Sequence, residues 1–282
     1  RVRELESEER REMIRILTDF AKKVRPNVRE IIDSYSLMAA IDFIRAKAEL
    51  ARYFKAFEPE VKAEPHIDWI RAIHPLLQLS LERKCKERLN TSLSREEEVS
   101  SKDTDDSLSV QEIELVSEDD NTSTSVPKSV VPLDIQLTKD KYLLIISGPN
   151  AGGKSVCLKT VGLLQYMLQC GLSIPVGDRS TTGLFSDIMI DIGDEQSIEN
   201  DLSTYSSHLM NMKVMMRQAS DRTLILIDEF GTGTEPQIGG AIAEAVLKQL
   251  WEKHAWAVIT THYQNLKHFA EAHPGTANGA ML

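Results

Sequence analysis

Gly148-Pro149-Asn150-Ala151-Gly152-Gly153-Lys154-Ser155 fits G-x-x-x-x-G-K-[ST], follows the apolar run Tyr142 to Ile146 and opens a helix-like stretch. A glycine loop of this kind turns backbone N–H groups onto phosphate oxygens, while the helix behind it aims its positive end at the same anion. The spacing predicts a nucleoside triphosphate site. Gly148, Pro149, Asn150, Ala151, Gly152 and Gly153 would wrap the phosphates, Lys154 would reach the β- and γ-phosphates, and the Ser155 hydroxyl would ligate Mg²⁺. Strand, loop and helix in this order also predict an α/β fold built on a mainly parallel sheet.

Downstream, Thr223-Leu224-Ile225-Leu226-Ile227-Asp228-Glu229 is an apolar run ending in two carboxylates, the pattern of a buried parallel strand that delivers acids at its C-terminal tip. Asp228 is the expected magnesium residue. Glu229 is the expected base, polarising water for attack on the γ-phosphate. A third run, Trp256-Ala257-Val258-Ile259-Thr260-Thr261-His262, ends in a histidine that reads either as a structural hydrogen-bonder or as a γ-phosphate contact. Three strand ends with phosphate-type chemistry favour the contact.

Together with Ser203-Thr204-Tyr205, Asp228-Glu229-Phe230-Gly231-Thr232-Gly233-Thr234 and Thr261-His262-Tyr263, the loop resembles the ATPase domain of MutS proteins. Pro149-Asn150 inside the loop and the Asp-Glu-x-Gly-x-Gly-Thr block separate it from other P-loop ATPases. Ser203-Thr204-Tyr205-Ser206-Ser207-His208 and the run Asp228 to Pro236 resemble the bacterial, recombination-suppressing second branch; the mismatch-repair branch usually has Glu where this chain has His208. The resemblance implies a P-loop domain of the ABC type that binds ATP and Mg²⁺ and works as a homodimer. It implies metal and base roles for Asp228 and Glu229, a switch role for His262, and contact of Ser203 with the γ-phosphate held by the opposite subunit. Asp191-Ile192-Gly193-Asp194-Glu195-Gln196 resembles the segment that links nucleotide state to the rest of the molecule. On its own, Ser203 also reads as the N-cap of the Met-rich helix that follows it.

The implied function is an ATP-driven protein acting on branched or recombination DNA and suppressing homologous recombination. Alternatives are a ribosome-associated ATPase that separates stalled ribosomes, a mismatch-repair ATPase and, more distantly, a transporter ATPase. Nuclease activity would lie in a C-terminal domain outside this sequence. The net charge is −10 and no stretch forms a basic platform, so DNA would be held mostly by regions beyond these residues. Three cysteines without metal-ligand spacing, no signal peptide and no bilayer-length apolar run predict a protein of a reducing, intracellular compartment with no membrane partner, and the resemblance implies a bacterial cytoplasm. The chain opens at Arg1, without Met, in a charged helical pattern, as expected of a piece of a longer protein.

Four segments are expected. Residues 1–57 read as helical, with Met13, Ile14, Leu17, Phe20, Ala21 and Val24 at three- and four-residue steps and a second such series after Pro26. Periodicity alone suggests a helical hairpin, whereas the resemblance makes these helices a lever. Residues 58–84 begin the ATPase domain, since Arg71-Ala72-Ile73-His74-Pro75-Leu76 resembles the opening stretch of MutS ATPase domains. In 85–130, 14 of 46 residues are Ser or Thr, 12 are acidic and none is aromatic, which predicts a disordered insertion. Residues 131–282 carry the P-loop domain, entered by an edge or half-buried strand at Val131 to Leu137.

Overall fold

The computed structural model of the chain describes residues 1–100, 129–148, 153–192, 201–231 and 235–280; for 88–100 and 201–207 the backbone alone is described. Arg1–Tyr53 and Phe54–Leu282 are two compact units.

The first unit is α1 (Val2–Val24), a 3₁₀ turn (Arg25–Asn27) and α2 (Val28–Tyr53). Pro26 falls at the start of the 3₁₀ turn, where its missing N–H costs little and its fixed φ suits the helix. Val24, Arg25 and Val28 all keep right-handed helical dihedrals, the Arg25 N–H still reaches the Ala21 carbonyl and the Val28 N–H that of Arg25. The chain therefore does not double back at Pro26, which corrects the helical hairpin expected from periodicity. Arg25-Pro26-Asn27 offers no residue in the left-handed region that a tight reversal would use. Neither helix buries a residue, and Met13, Leu17 and Phe20 on α1 are more than half exposed. Surface ion pairs such as Arg45 with Glu49 at 3.0 Å add only tenths of a kcal/mol, on the order of 0.3–0.5 each.

The second unit carries two sheets. The smaller has the order β1 (Glu60–Lys62), β5 (Thr181–Gly183), β2 (Ile67–Ala72), β3 (Leu133–Leu137), and β3 is an edge strand antiparallel to β2, as its alternating pattern suggested. The larger is parallel throughout, in the order β6 (Asp187–Asp191), β7 (Thr223–Ile227), β8 (Trp256–Thr261), β4 (Lys141–Ser147), β9 (Gly275–Ala280). Its helices are α4 (Lys154–Gln169), α5 (Asp201–Gln218), α6 (Pro236–Glu252) and α7 (Gln264–Ala272). Every residue of β7 and β8 is buried, the mark of strands covered on both faces. This is the α/β architecture with a mostly parallel sheet between helices that the sequence predicts.

The expected disorder from Cys85 is corrected for residues 85–100, because α3 (Pro75–Ser100) runs on through them. Low aromatic content removes the means to build a core, but Lys, Arg, Glu and Leu remain good helix formers, and 85–100 contains neither Gly nor Pro. Residues 101–128, where the rest of that expectation falls, lie outside the described residues.

Parallel pairing has one consequence for chemistry. All five strands end at the same edge, with Ser147 beside Thr261, Ile227 beside Ile259 and Asp191 beside Ile227. The residues that immediately follow β4, β7 and β8 are therefore neighbours, although β4 lies far from β7 and β8 in sequence.

Candidate functional site

Gly153 takes φ +82, a conformation that an L side chain resists, and caps α4. Lys154 is the first helical residue and is only 2% exposed. Its Nζ donates to the Gly148 carbonyl at 2.7 Å, so the two ends of the glycine loop are bridged by the lysine that the loop presents. It also meets His262 Nε2 at 3.1 Å; an ammonium can only donate, so this ring nitrogen accepts. Burial lowers the Lys154 pKa, the Glu229 and then the Asp228 carboxylates pull it back up, and Lys267 works against them. The cation is thus held among two acids and a histidine from neighbouring strand ends. Ser155, half-buried, follows on the same helical turn, and its hydroxyl has no hydrogen-bond partner among the described residues. Pro149, Asn150, Ala151 and Gly152 lie outside the described residues.

Asp228 and Glu229 leave the tip of β7 in different directions because Glu229 takes φ +48. A non-glycine residue in this region is strained by about 1–2 kcal/mol, so the turn between the acids is held by its surroundings. Thr260 on β8 supplies the hold. Its hydroxyl donates to Asp228 Oδ1 at 2.5 Å and accepts the Glu229 N–H at 2.8 Å. Asp228 Oδ2 has no donor among the described residues. The Asp228 N–H reaches the Asp191 carbonyl at 3.0 Å, and the Phe230 N–H reaches the Thr260 carbonyl at 2.9 Å.

His262 follows the last residue of β8 and Tyr263 follows it, its hydroxyl donating to the Gly231 carbonyl at 2.9 Å. Gly231, at φ +90, has no room for a side chain: a Cβ there would stand 2.8 Å from Tyr263 Cε2 and 3.0 Å from the Gly239 carbonyl. Thr232 to Thr234 lie outside the described residues.

Helix α5 starts at Asp201, so Ser203 is its third residue and not its N-cap, which corrects that reading. The Ser203 side chain is among those not described. Five residues on, His208 Nδ1 donates to Asp191 Oδ2 at 2.8 Å, and Asn211 Nδ2 donates to Asp191 Oδ1 at 2.9 Å. Asp194 to Gln196 lie outside the described residues.

Lys154, Asp228, Glu229 and His262 therefore come to one edge of the sheet. Thr260 and Asn211 were not singled out by sequence reasoning. Thr260 had one available signal, a polar residue placed to be fully buried inside an apolar strand; Asn211 had none, since its partner is set by tertiary register. Among the described residues no three His, Cys, Asp or Glu side chains gather as a metal site, and no helix is long and apolar enough to cross a membrane.

Residues 144–282 match the family model for MutS domain V. Over 281 residues the chain is 37% identical to a protein named Endonuclease MutS2 from Latilactobacillus sakei, covering 100% of this chain and 30% of that protein. The Endonuclease MutS2 of Enterococcus faecalis is 36% identical over 281 residues with the same coverage. That of Thermomicrobium roseum is 38% identical over 281 residues, 100% of this chain and 31% of the relative. The chain thus spans about 30% of the length of these relatives. With domain V matched along its second half and MutS2-named relatives matched along its whole length, the chain belongs to the MutS family and is of the MutS2 type.

Proposed function

We propose that residues 54–282 are an ABC-type P-loop ATPase domain that binds ATP with Mg²⁺ at the C-terminal edge of the parallel sheet and hydrolyses it. We infer further that the longer protein uses this cycle, as a homodimer, on branched or recombination DNA to suppress homologous recombination. The observation that carries the reading is the meeting of Lys154, Asp228, Glu229 and His262 at the ends of three adjacent parallel strands, where ligands of open α/β sheets bind. Each has a chemical task. Lys154 neutralises the β- and γ-phosphates, Glu229 polarises the attacking water, and His262 contacts the γ-phosphate.

The donor set suits magnesium. Asp228 Oδ2 and Ser155 Oγ are hard oxygens without other partners among the described residues. Mg²⁺ characteristically takes one or two protein oxygens, phosphate oxygens and water. Held by Asp228 and Ser155, it would draw off negative charge from the phosphates. Ser203 would act on the nucleotide of the opposite subunit. Helices α1 and α2 would serve as a lever, with DNA gripped by parts beyond these residues. The net charge of −10 agrees with that division of labour.

The test is binding of a fluorescent ATP analogue and Mg²⁺-dependent phosphate release by the full chain, followed by binding of a four-way DNA junction by the longer protein with and without ATP. Saturable nucleotide binding, hydrolysis and ATP-modulated junction binding are expected. A chain that binds no nucleotide would overturn the ATPase reading; a longer protein that hydrolyses ATP but ignores junction DNA and binds ribosomal particles would overturn the DNA reading alone.

A further inference from the structure

Asp191 ends β6, is 4% exposed, and opens the segment that by resemblance links nucleotide state to the rest of the molecule; both oxygens of its carboxylate are hydrogen-bonded to a neighbouring element. Its two carboxylate oxygens accept one bond each from α5, Oδ2 from His208 Nδ1 at 2.8 Å and Oδ1 from Asn211 Nδ2 at 2.9 Å. Its main-chain carbonyl accepts the Asp228 N–H at 3.0 Å. One residue thus faces the Met-rich helix with its side chain and the acid-bearing strand end with its backbone.

The arrangement is more demanding than packing requires. A buried carboxylate is costly unless its oxygens are hydrogen-bonded, and an apolar residue would fill this place without that condition. What the carboxylate adds is direction. His208 and Asn211 stand three apart on α5 and so share a face, one turn after another. A single bond would let the helix roll about its axis, whereas two donors held by the two oxygens of one carboxylate fix both its rotation and its height. Ser203 lies five residues earlier on the same helix, about 7.5 Å along the axis at about 1.5 Å per residue. Its place follows from that of the clamp.

We propose that Asp191 is a positioning residue that ties the helix carrying Ser203 to the strand end carrying Asp228, so that the acid serving the subunit's own nucleotide and the serine reaching the partner's nucleotide share one frame. The inference rests on the nucleotide reading above. Binding of ATP uses the glycine loop and Lys154, and among the described residues Lys154 Nζ bonds Gly148 and His262, not the clamp; hydrolysis at each shared site needs Asp228 of the subunit that holds the ATP and Ser203 of its partner, and the clamp sets both in each subunit. Loosening the clamp should therefore act on kcat and spare affinity.

The experiment compares His208→Ala, Asn211→Ala and His208→Asn in the full chain by steady-state ATPase kinetics, equilibrium binding of a non-hydrolysable ATP analogue and thermal melting. Ala is a good helix former and His208 is partly exposed, so these variants fold even if Asp191→Asn does not. Each Ala variant should lower kcat about tenfold while KM and analogue affinity stay within about threefold. His208→Asn, whose amide N–H can stand where Nδ1–H stood, should recover most of the loss. Wild-type kcat in both Ala variants would overturn the inference and leave the ATPase reading intact. So would kcat and affinity falling together with the melting temperature, without recovery in His208→Asn, since Asp191 would then only hold the fold. An unaltered chain that neither binds nor hydrolyses ATP would remove the nucleotide reading and this inference with it.

Discussion

The Thr260 hydroxyl donates to Asp228 Oδ1 at 2.5 Å and, through the same oxygen, accepts the N–H of the next residue, Glu229, at 2.8 Å. One buried side chain on β8 thereby sets both acids of β7. Thr260→Val keeps the shape and removes the hydroxyl, leaving a buried N–H and a carboxylate oxygen without their partner, so stability should fall by about 1–3 kcal/mol. Hydrolysis should fall about tenfold or more, with nucleotide affinity much less affected. Thr260→Ser should restore both. Chemical denaturation and ATPase assays on the three proteins check this.

Lys154 is the cation inside the sheet edge, with Asp228 and Glu229 acting on it and His262 in contact. Lys154→Ala should abolish ATP binding and hydrolysis together, measurable by fluorescent-nucleotide titration. In a dimer, the site in which Ser203 faces the ATP held by the partner's Lys154 can be rebuilt. Lys154→Ala and Ser203→Ala homodimers should be nearly inactive alone, and their mixture should recover activity on subunit exchange, because each heterodimer keeps one intact site. A proven heterodimer without activity would reject the shared-site arrangement.

Glu229 joins function to strain. Glu229→Gln should still bind ATP while turnover drops by about two orders of magnitude. Glu229→Gly, which relieves the residue at φ +48, should drop turnover as far yet raise the unfolding free energy by about 1 kcal/mol. A loss of stability in the glycine variant would show that the carboxylate holds the turn.

Cys157 is buried on α4 beside the glycine loop, and burial pushes its thiol from 9.0 up to about 12. It should resist iodoacetamide at pH 8 in the native protein, while the exposed Cys85 and Cys170 react, as mass spectrometry would read. The sign for stability follows. The unfolded thiol ionises near its ordinary value and the folded one does not, so the contribution is complete below pH 9 and is lost as pH rises from 9 toward 12. Cys157→Ala should flatten that part of the alkaline denaturation profile.

What could be read from the sequence was whatever lies in one continuous string. The glycine loop, the apolar run ending in Asp228-Glu229 and the run ending in His262 each announce a strand with its tip, and parallel pairing then gathers them. Thr260 and Asn211 were opaque for the opposite reason: their partners lie on other elements, so their roles exist only once register is fixed. Pro26 reads from the sequence as a turn or as the first turn of the second helix, and the backbone around it takes the second form. Residues 85–100 misled because composition averaged over 46 positions hid a stretch of helix formers at one end.

The place of β4 between β8 and β9 bears on how the protein is made. Both neighbours of β4 come later in the chain, with Leu143 pairing Ala257 on one side and Thr276 on the other. During synthesis from the N-terminus the apolar stretch Tyr142–Ile146 therefore emerges long before either strand that will hydrogen-bond its edges. Until residues 256–280 leave the ribosome this strand is a nascent segment open to wrong pairing, the kind of intermediate that aggregates or engages chaperones. On the proposed reading, nucleotide capture needs the tips of β4, β7 and β8 side by side, so it would be a late event in folding and would report that β8 has docked.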